Sequence, residues 1–430
     1  MRPRPRHVFS RAHRPKSALS VSAALLLAVA LSACGSSGSS SGSQISVSTK
    51  QTIVFATAGL GAEAQATAAE VKAFEKVHPN ITVKVQQLAA TSNDAYQQVV
   101  HYFEAGDSTP DVVDADTAWP ASFARANWIL PLSSAGISPG VLLPKARASG
   151  TYEGKLYAAM WYFNAEGLYY RTDLVKQPPK TPQQLVTDAE NALKADPHLR
   201  EGLALEGMKY EGFVTVFIDL MGAFGGGLNP AHFDTPGNLK ALEFLHSLVY
   251  QYKVTPQAVA GWSEQNVQDA FVSGQAAFAT NWPYLQSLVN AKGSAVVNKT
   301  GFVPFPSDNG AGVATVASDA LVINAKSAHR AADVDFVKWM LNPGQQINRA
   351  VTSGDPPSVA AAYTSALFSK APYFRADLNV FKAGVPRLVS PDYLQISTDV
   401  QNMLSSVLAN QTAPAQALSQ TSAELASLSK

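Results

Sequence analysis

Thr52-Ile53-Val54-Phe55-Ala56, Ile81-Thr82-Val83-Lys84-Val85 and Asp111-Val112-Val113-Asp114 are the stretches on which the fold turns. The first is a short apolar run entering the small-residue stretch 57–61, and the second alternates as a half-buried strand does. Between them Val71, Phe74 and Val77 recur at three-residue spacing, with Lys72, Glu75 and Lys76 off that face. That is the pattern of a helix, stopped by His78-Pro79-Asn80. A second helix over 94–104 leads into the third strand. Strands alternating with helices predict a mainly parallel sheet, with ligand groups carried just beyond the strand ends.

The alternation continues downstream. Leu156-Tyr157-Ala158-Ala159 and Gly167-Leu168-Tyr169-Tyr170 read as strands that leave the first sheet and enter a second. Helices are expected from Gln183, over 213–224, 239–252, 267–278 and 331–341, and over 394–408, with a strand at 320–323. The 394–408 helix is expected to pack over the middle segment.

The first residues have a different character. Six basic residues and no acid precede Ser17, and an apolar run from Ala18 to Leu31 follows, an export signal too short for a membrane span. It ends in Leu31-Ser32-Ala33-Cys34, which resembles the lipobox of bacterial lipoproteins. That resemblance implies cleavage before Cys34 and lipid on its sulfur. Cys34 is the sole cysteine, so it has neither disulfide partner nor thiolate company for a metal. Residues 35–43 are almost pure Gly and Ser, a flexible tether. Expected boundaries are a signal peptide over 1–33 and a tether over 34–49.

Without residues 1–33 the chain holds 27 Lys plus Arg against 32 Asp plus Glu, a formal net charge of −5. No long basic run is present, which argues against nucleic acid as a partner. The six histidines beyond residue 33 are scattered, with no i, i+4 pair, so no metal and no cofactor is expected. Nearly 400 residues exceed what one core organises, which predicts two domains.

Five segments, in order, resemble the extracellular sugar-binding proteins of ATP-driven importers, the family that includes maltose- and trehalose-binding proteins. They are Pro110 to Asp116 with Trp119, Phe123 and Leu130-Pro131-Leu132; Gly154 to Ala158; Leu168 to Leu174; Phe271 to Phe278 running into Asn281-Trp282-Pro283-Tyr284; and Pro386-Arg387 with Pro391-Asp392-Tyr393. The resemblance implies an α/β, periplasmic-binding-protein-like fold, with two α/β lobes, a central ligand cleft and three crossing segments. By that analogy the N-lobe comprises 50–163 and 317–356, the C-lobe 167–307 and 369–430, and the crossings 164–166, 308–316 and 357–368. It further implies a monomer on the outer face of the cell membrane, anchored in the bilayer through Cys34. There it captures a sugar, such as an α-glucoside di- or oligosaccharide, and hands it to membrane permease subunits.

A sugar presents hydroxyls at its edge and C–H faces above and below, so carboxylates, amides and aromatic rings suit it. That chemistry and the resemblance select Glu63, Asp116, Trp282 and Arg387 as ligand contacts, with Tyr210, Glu211 and Trp262 as further cleft candidates. Structural roles compete with each: Glu63 as a first-turn helix acid, Asp116 as a helix cap near Trp119, Trp282 as core beside Phe278, Arg387 paired with Asp392. Asn164 stands where some relatives carry an aspartate, and Asp319 where they often carry a tryptophan. One stacking platform is therefore expected to be replaced by a carboxylate. The rival class is a secreted glycan hydrolase using Asp114 and Asp116 as an acid pair. Such a pair is a very common string, and the resemblance already explains Asp116 as a hydroxyl acceptor, so no catalytic residue is assigned.

Overall fold

The computed structural model describes residues 48–59 and 61–428. Cys34, the export signal and most of the tether lie outside the described residues. Thirteen strands are present among the described residues: β1 (Gln51–Thr57), β2 (Ile81–Gln87), β3 (Val112–Asp116), β4 (Thr151–Tyr152), β5 (Lys155–Leu156), β6 (Ala159–Met160), β7 (Gly167–Arg171), β8 (Glu201–Ala204), β9 (Ala276–Asn281), β10 (Thr300–Val303), β11 (Ala314–Val316), β12 (Asp319–Ile323) and β13 (Gly384–Pro386). Five of them form a sheet in the order β2-β1-β3-β12-β6, and four form another in the order β10-β7-β9-β8.

In the first sheet β2, β1 and β3 run parallel and β12 runs against both β3 and β6. In the second, β8 and β9 are parallel and β7 runs against both β9 and β10. Each sheet thus has one reversed strand, and each reversed strand directly follows a segment that passes between the sheets. Those segments touch where Ala165 bridges Val316, and Tyr162 bridges Pro357 of a later, third stretch.

Alternation along the strands sorts their side chains onto two faces. Ile53, Phe55, Val112, Leu321 and Ile323 belong to one apolar cluster, where Phe55 meets Trp161 and Phe336 edge to face. Ala56, Val113, Ala115, Ala320 and Val322 belong to a second, with Val99, Phe103 and Phe123. Around the other sheet the helix Glu211–Ala223 is buried on nearly every side, packed against Pro236–Tyr250 and Tyr393–Leu408.

Three local expectations change. The predicted helix over 267–278 ends early: Glu264–Val272 is helical, Gly274 takes φ +78°, and Ala276–Asn281 is β9. The apolar spacing of Phe271 and Phe278 suits either element, and the left-handed turn at Gly274 decides between them. Residues 156–159 are not one strand, since β5 ends at Leu156 and β6 begins at Ala159. Val77, placed on the apolar face of its helix, is 55% exposed because the helix Gly61–Val77 ends there.

Candidate functional site

At the carboxyl ends of β1 and β3 the chain places Thr57 and Asp116, with Asp114 two residues back in β3, and the reversed β12 begins beside them with Asp319. Asp116 is the last residue of its strand and not a loop residue beyond it. Register puts Asp319 directly opposite Asp116. Glu63 enters from the first turn of the helix Gly61–Val77. Facing this edge are Glu211 at the start of its helix, Glu264 at the start of the helix Glu264–Val272, Trp282 after β9, and Arg387 after β13.

Arg387 is the fastener. It is buried, its Nη1 donates to Glu211 Oε1 at 2.7 Å, and its Nη2 donates to Asp116 and, at 2.9 Å, to Thr117 Oγ1. Tyr393 donates to the same Glu211 oxygen at 2.7 Å, and Ser397 donates to the other. Asp392 is not its partner: that carboxylate pairs with Arg125 at 2.7 Å on the surface. Asp116 accepts from the Ala118 N–H at 2.8 Å and from Ser92 Oγ at 2.9 Å, and makes no cap to the helix Pro120–Arg125.

A second guanidinium lies deeper. Arg349 pairs with Glu70 at 3.3 Å and with Asp355 at 3.1 Å, and lies 3.8 Å over the Trp161 ring. Around it stand carboxyl groups with no such partner. Asp114 accepts from Thr57 at 2.8 Å through Oδ2, while its buried Oδ1 has no hydrogen-bond partner. Asp319 accepts from the Tyr162 hydroxyl; burial, then the Asp116 charge, push it up to about 6. Burial first, then Asp355 and Asp319, raise Glu63 well above the carboxylate range. Burial also raises Glu264, against the stabilising Tyr284 hydroxyl.

The structure therefore gathers Glu63, Asp116 and Asp319 at one edge, with Glu211, Trp282 and Arg387 facing it. Tyr210 adjoins them, its hydroxyl donating to Glu206 and accepting from the Glu264 N–H at 2.9 Å. Trp282 is buried yet belongs to none of the apolar clusters, its indole lying against the Glu264 carboxylate. Asn164 holds its Oδ1 buried without a partner. Trp262 is the outlier: it packs against both main clusters and lines a separate depression with Glu201, Asp269 and Gln275. Arg349, Asp355, Tyr162 and Glu264 are members that the sequence does not single out. No local pattern marks them, because they are brought in from three separate stretches of the chain, at 162, 264 and 349–355. Among the described residues no group of His, Cys, Asp and Glu is disposed to hold a metal ion, and no helix is long and apolar enough to cross a membrane.

Residues 58–347 match the model of the bacterial extracellular solute-binding proteins. The chain belongs to that family. A probable ABC transporter-binding protein of Deinococcus radiodurans is 29% identical over 362 residues, covering 80% of this chain and 86% of the relative. A mannitol-binding protein of Pseudomonas aeruginosa is 26% identical over 380 residues, covering 81% and 86%. Among solved structures, maltose-bound MalE3 of T. maritima superposes with a TM-score of 0.82 at 30% identity, covering 88% of this chain and 99% of the other. The fold is accordingly periplasmic-binding-protein-like, as the family resemblance implied.

Proposed function

We infer that this chain is the substrate-binding lipoprotein of an ABC importer, which captures a sugar outside the membrane and delivers it to the permease. The observation that carries the reading is the convergence of carboxylates, two arginines and Trp282 on the carboxyl ends of one sheet, opposite elements of the other. Ligand sites of open α/β sheets lie at such strand ends. Carboxylates accept from vicinal hydroxyls, Arg387 holds Asp116 and Glu211 in place for them from a fixed plane, and the Trp282 ring suits a sugar's C–H face. The relatives bind mannitol and, in MalE3, maltose. A di- or oligosaccharide such as an α-glucoside fits this family setting.

The lobes in this reading are 50–163 with 317–356 and 167–307 with 369–430, closing about the crossings 164–166, 308–316 and 357–368. The bridges of Ala165 to Val316 and Tyr162 to Pro357 support hinges there, since neighbouring strands bend together. The protein is a monomer that binds one sugar and returns it unchanged, with Cys34 holding it at the bilayer. Each buried methylene of a lipid contributes about 0.8 kcal/mol, so two or three acyl chains suffice as an anchor.

A thermal-shift screen of the mature protein against mono- and oligosaccharides tests the sugar reading. Ligand at about a hundred times its dissociation constant adds roughly 2.7 kcal/mol of stability. No shift with any sugar, or turnover of a glycan that depends on Asp114 or Asp116, refutes it. Replacing Cys34 by Ala tests the anchor: the variant is expected to leave the membrane fraction with its fold intact.

A further inference from the structure

The carboxyl groups of this site outnumber the cations that balance them. Arg349 already faces Glu70 and Asp355, and Arg387 already faces Asp116 and Glu211. Among the described residues no Lys, Arg or His stands within ion-pair distance of Glu63, Asp114, Asp319 or Glu264. These four are not remote from one another. The field of Asp319 bears on Asp114, Glu63 and Glu264, and that of Glu264 bears on Glu63.

A second observation points into the cluster. Asp114 is only 5% exposed, and its Oδ1 has no donor at all. A buried carboxylate oxygen left empty is costly, and the cost falls when a donor that also brings positive charge occupies it. A sugar hydroxyl supplies the donor without the charge. A metal ion supplies the charge, but these carboxyls are not disposed to hold one. A protonated amine supplies both: it brings three N–H donors on a compact cation, and it sits on a ring that Trp282 can face.

Building on the sugar-binding function inferred above, we propose that the ligand is an amino sugar whose protonated amine donates to the free Oδ1 of Asp114, within the field of Asp319, Glu63 and Glu264. Arg349 moderates Glu63, Asp114 and Asp319 through its field, but its ion pairs go to Glu70 and Asp355 and those of Arg387 to Asp116 and Glu211, so the amine supplies the direct contact that both guanidinium groups spend elsewhere. An N-acetyl group would forfeit the interaction, since an amide nitrogen carries no charge.

Calorimetric titration of the mature protein at pH 7 tests this with sugars that differ at one position. The probes are glucosamine with glucose, galactosamine with galactose, chitosan disaccharide with cellobiose, and the N-acetyl form of each amine. In at least one set the amine is expected to bind about 30-fold more tightly than its hydroxyl and N-acetyl counterparts, equivalent to roughly 2 kcal/mol. Asp319→Asn and Glu264→Gln, on opposite walls, are each expected to shrink that preference by about tenfold, as loss of a nearby opposite charge does. Two independent variants guard against one that fails to fold. Neutral sugars binding as tightly as their amines, or a preference unchanged in both variants, overturns the amino-sugar assignment and leaves sugar binding standing. Binding of no sugar, charged or neutral, overturns the underlying function instead.

Discussion

Asp319 stands directly across the β3–β12 ladder from Asp116, two carboxylates at a position where like charges destabilise a sheet. Each is answered by its own donor, Tyr162 for Asp319 and Arg387 for Asp116. The residual repulsion is part of what holds Asp319 up to about 6. Asp319→Asn removes the charge and keeps the shape. At pH 8 and without ligand this variant is expected to gain about 0.5–1 kcal/mol of stability in urea unfolding. A loss of stability would show that the pair supports the scaffold.

Arg387 makes the opposite case. Its guanidinium is buried between Asp116 and Glu211. Removing one partner of a buried ion pair leaves the other charge uncompensated, so Arg387→Ala is expected to cost about 3–5 kcal/mol of folding stability. Adding Glu211→Gln should return part of that loss, because one stranded charge disappears. Urea unfolding of the single and double variants measures both effects, and an additive double variant contradicts the coupling.

Trp282 separates binding from folding. Its backbone carbonyl accepts from the Tyr169 hydroxyl at 2.8 Å, which fixes the loop independently of the indole. With its side chain outside the apolar clusters, Trp282→Ala is expected to lose less than the roughly 3–5 kcal/mol typical of a core tryptophan. Sugar affinity is expected to fall by about 30- to 1,000-fold, equivalent to roughly 2–4 kcal/mol. Melting and titration of the same variant check the two halves together.

Asp333 gives a pH dependence remote from the site. Ser327 Oγ lies 2.5 Å from Asp333 Oδ2 and 2.8 Å from Asp111 Oδ1. One hydroxyl proton cannot serve both, so a proton on Asp333 completes the chain. Burial is the main cause that pushes Asp333 from 3.8 up to about 7. The folded state therefore binds this proton more tightly than the unfolded one. The resulting stabilisation is complete below about pH 4 and is lost as pH rises through about 7. Its upper bound is on the order of 4 kcal/mol. Comparing melting temperatures of wild type and Asp333→Asn between pH 4 and 8 tests this, with the variant expected to show the flatter curve.

By itself the sequence determined the elements and the chemistry available to them. The βαβ order, the apolar periodicity of β1 and β3, and the acids at their ends are local features, so Asp116 and Glu63 stand out in the chain on their own. Short-range ambiguity misled where two periods coincide, as at 267–278, because only the turn at Gly274 separates helix from strand there. Tertiary structure alone decided which charges meet. Arg387 finds Asp116 across 271 residues, and Arg349 finds Glu70 across 279. No local pattern encodes such pairings, since they depend on how two sheets and their reversed strands β7 and β12 are set against each other. For the same reason the excess of carboxylate around Asp114 is invisible in a chain whose overall charge is nearly balanced: a net charge counts residues, whereas a site is made by the few that burial brings within a few ångströms of one another.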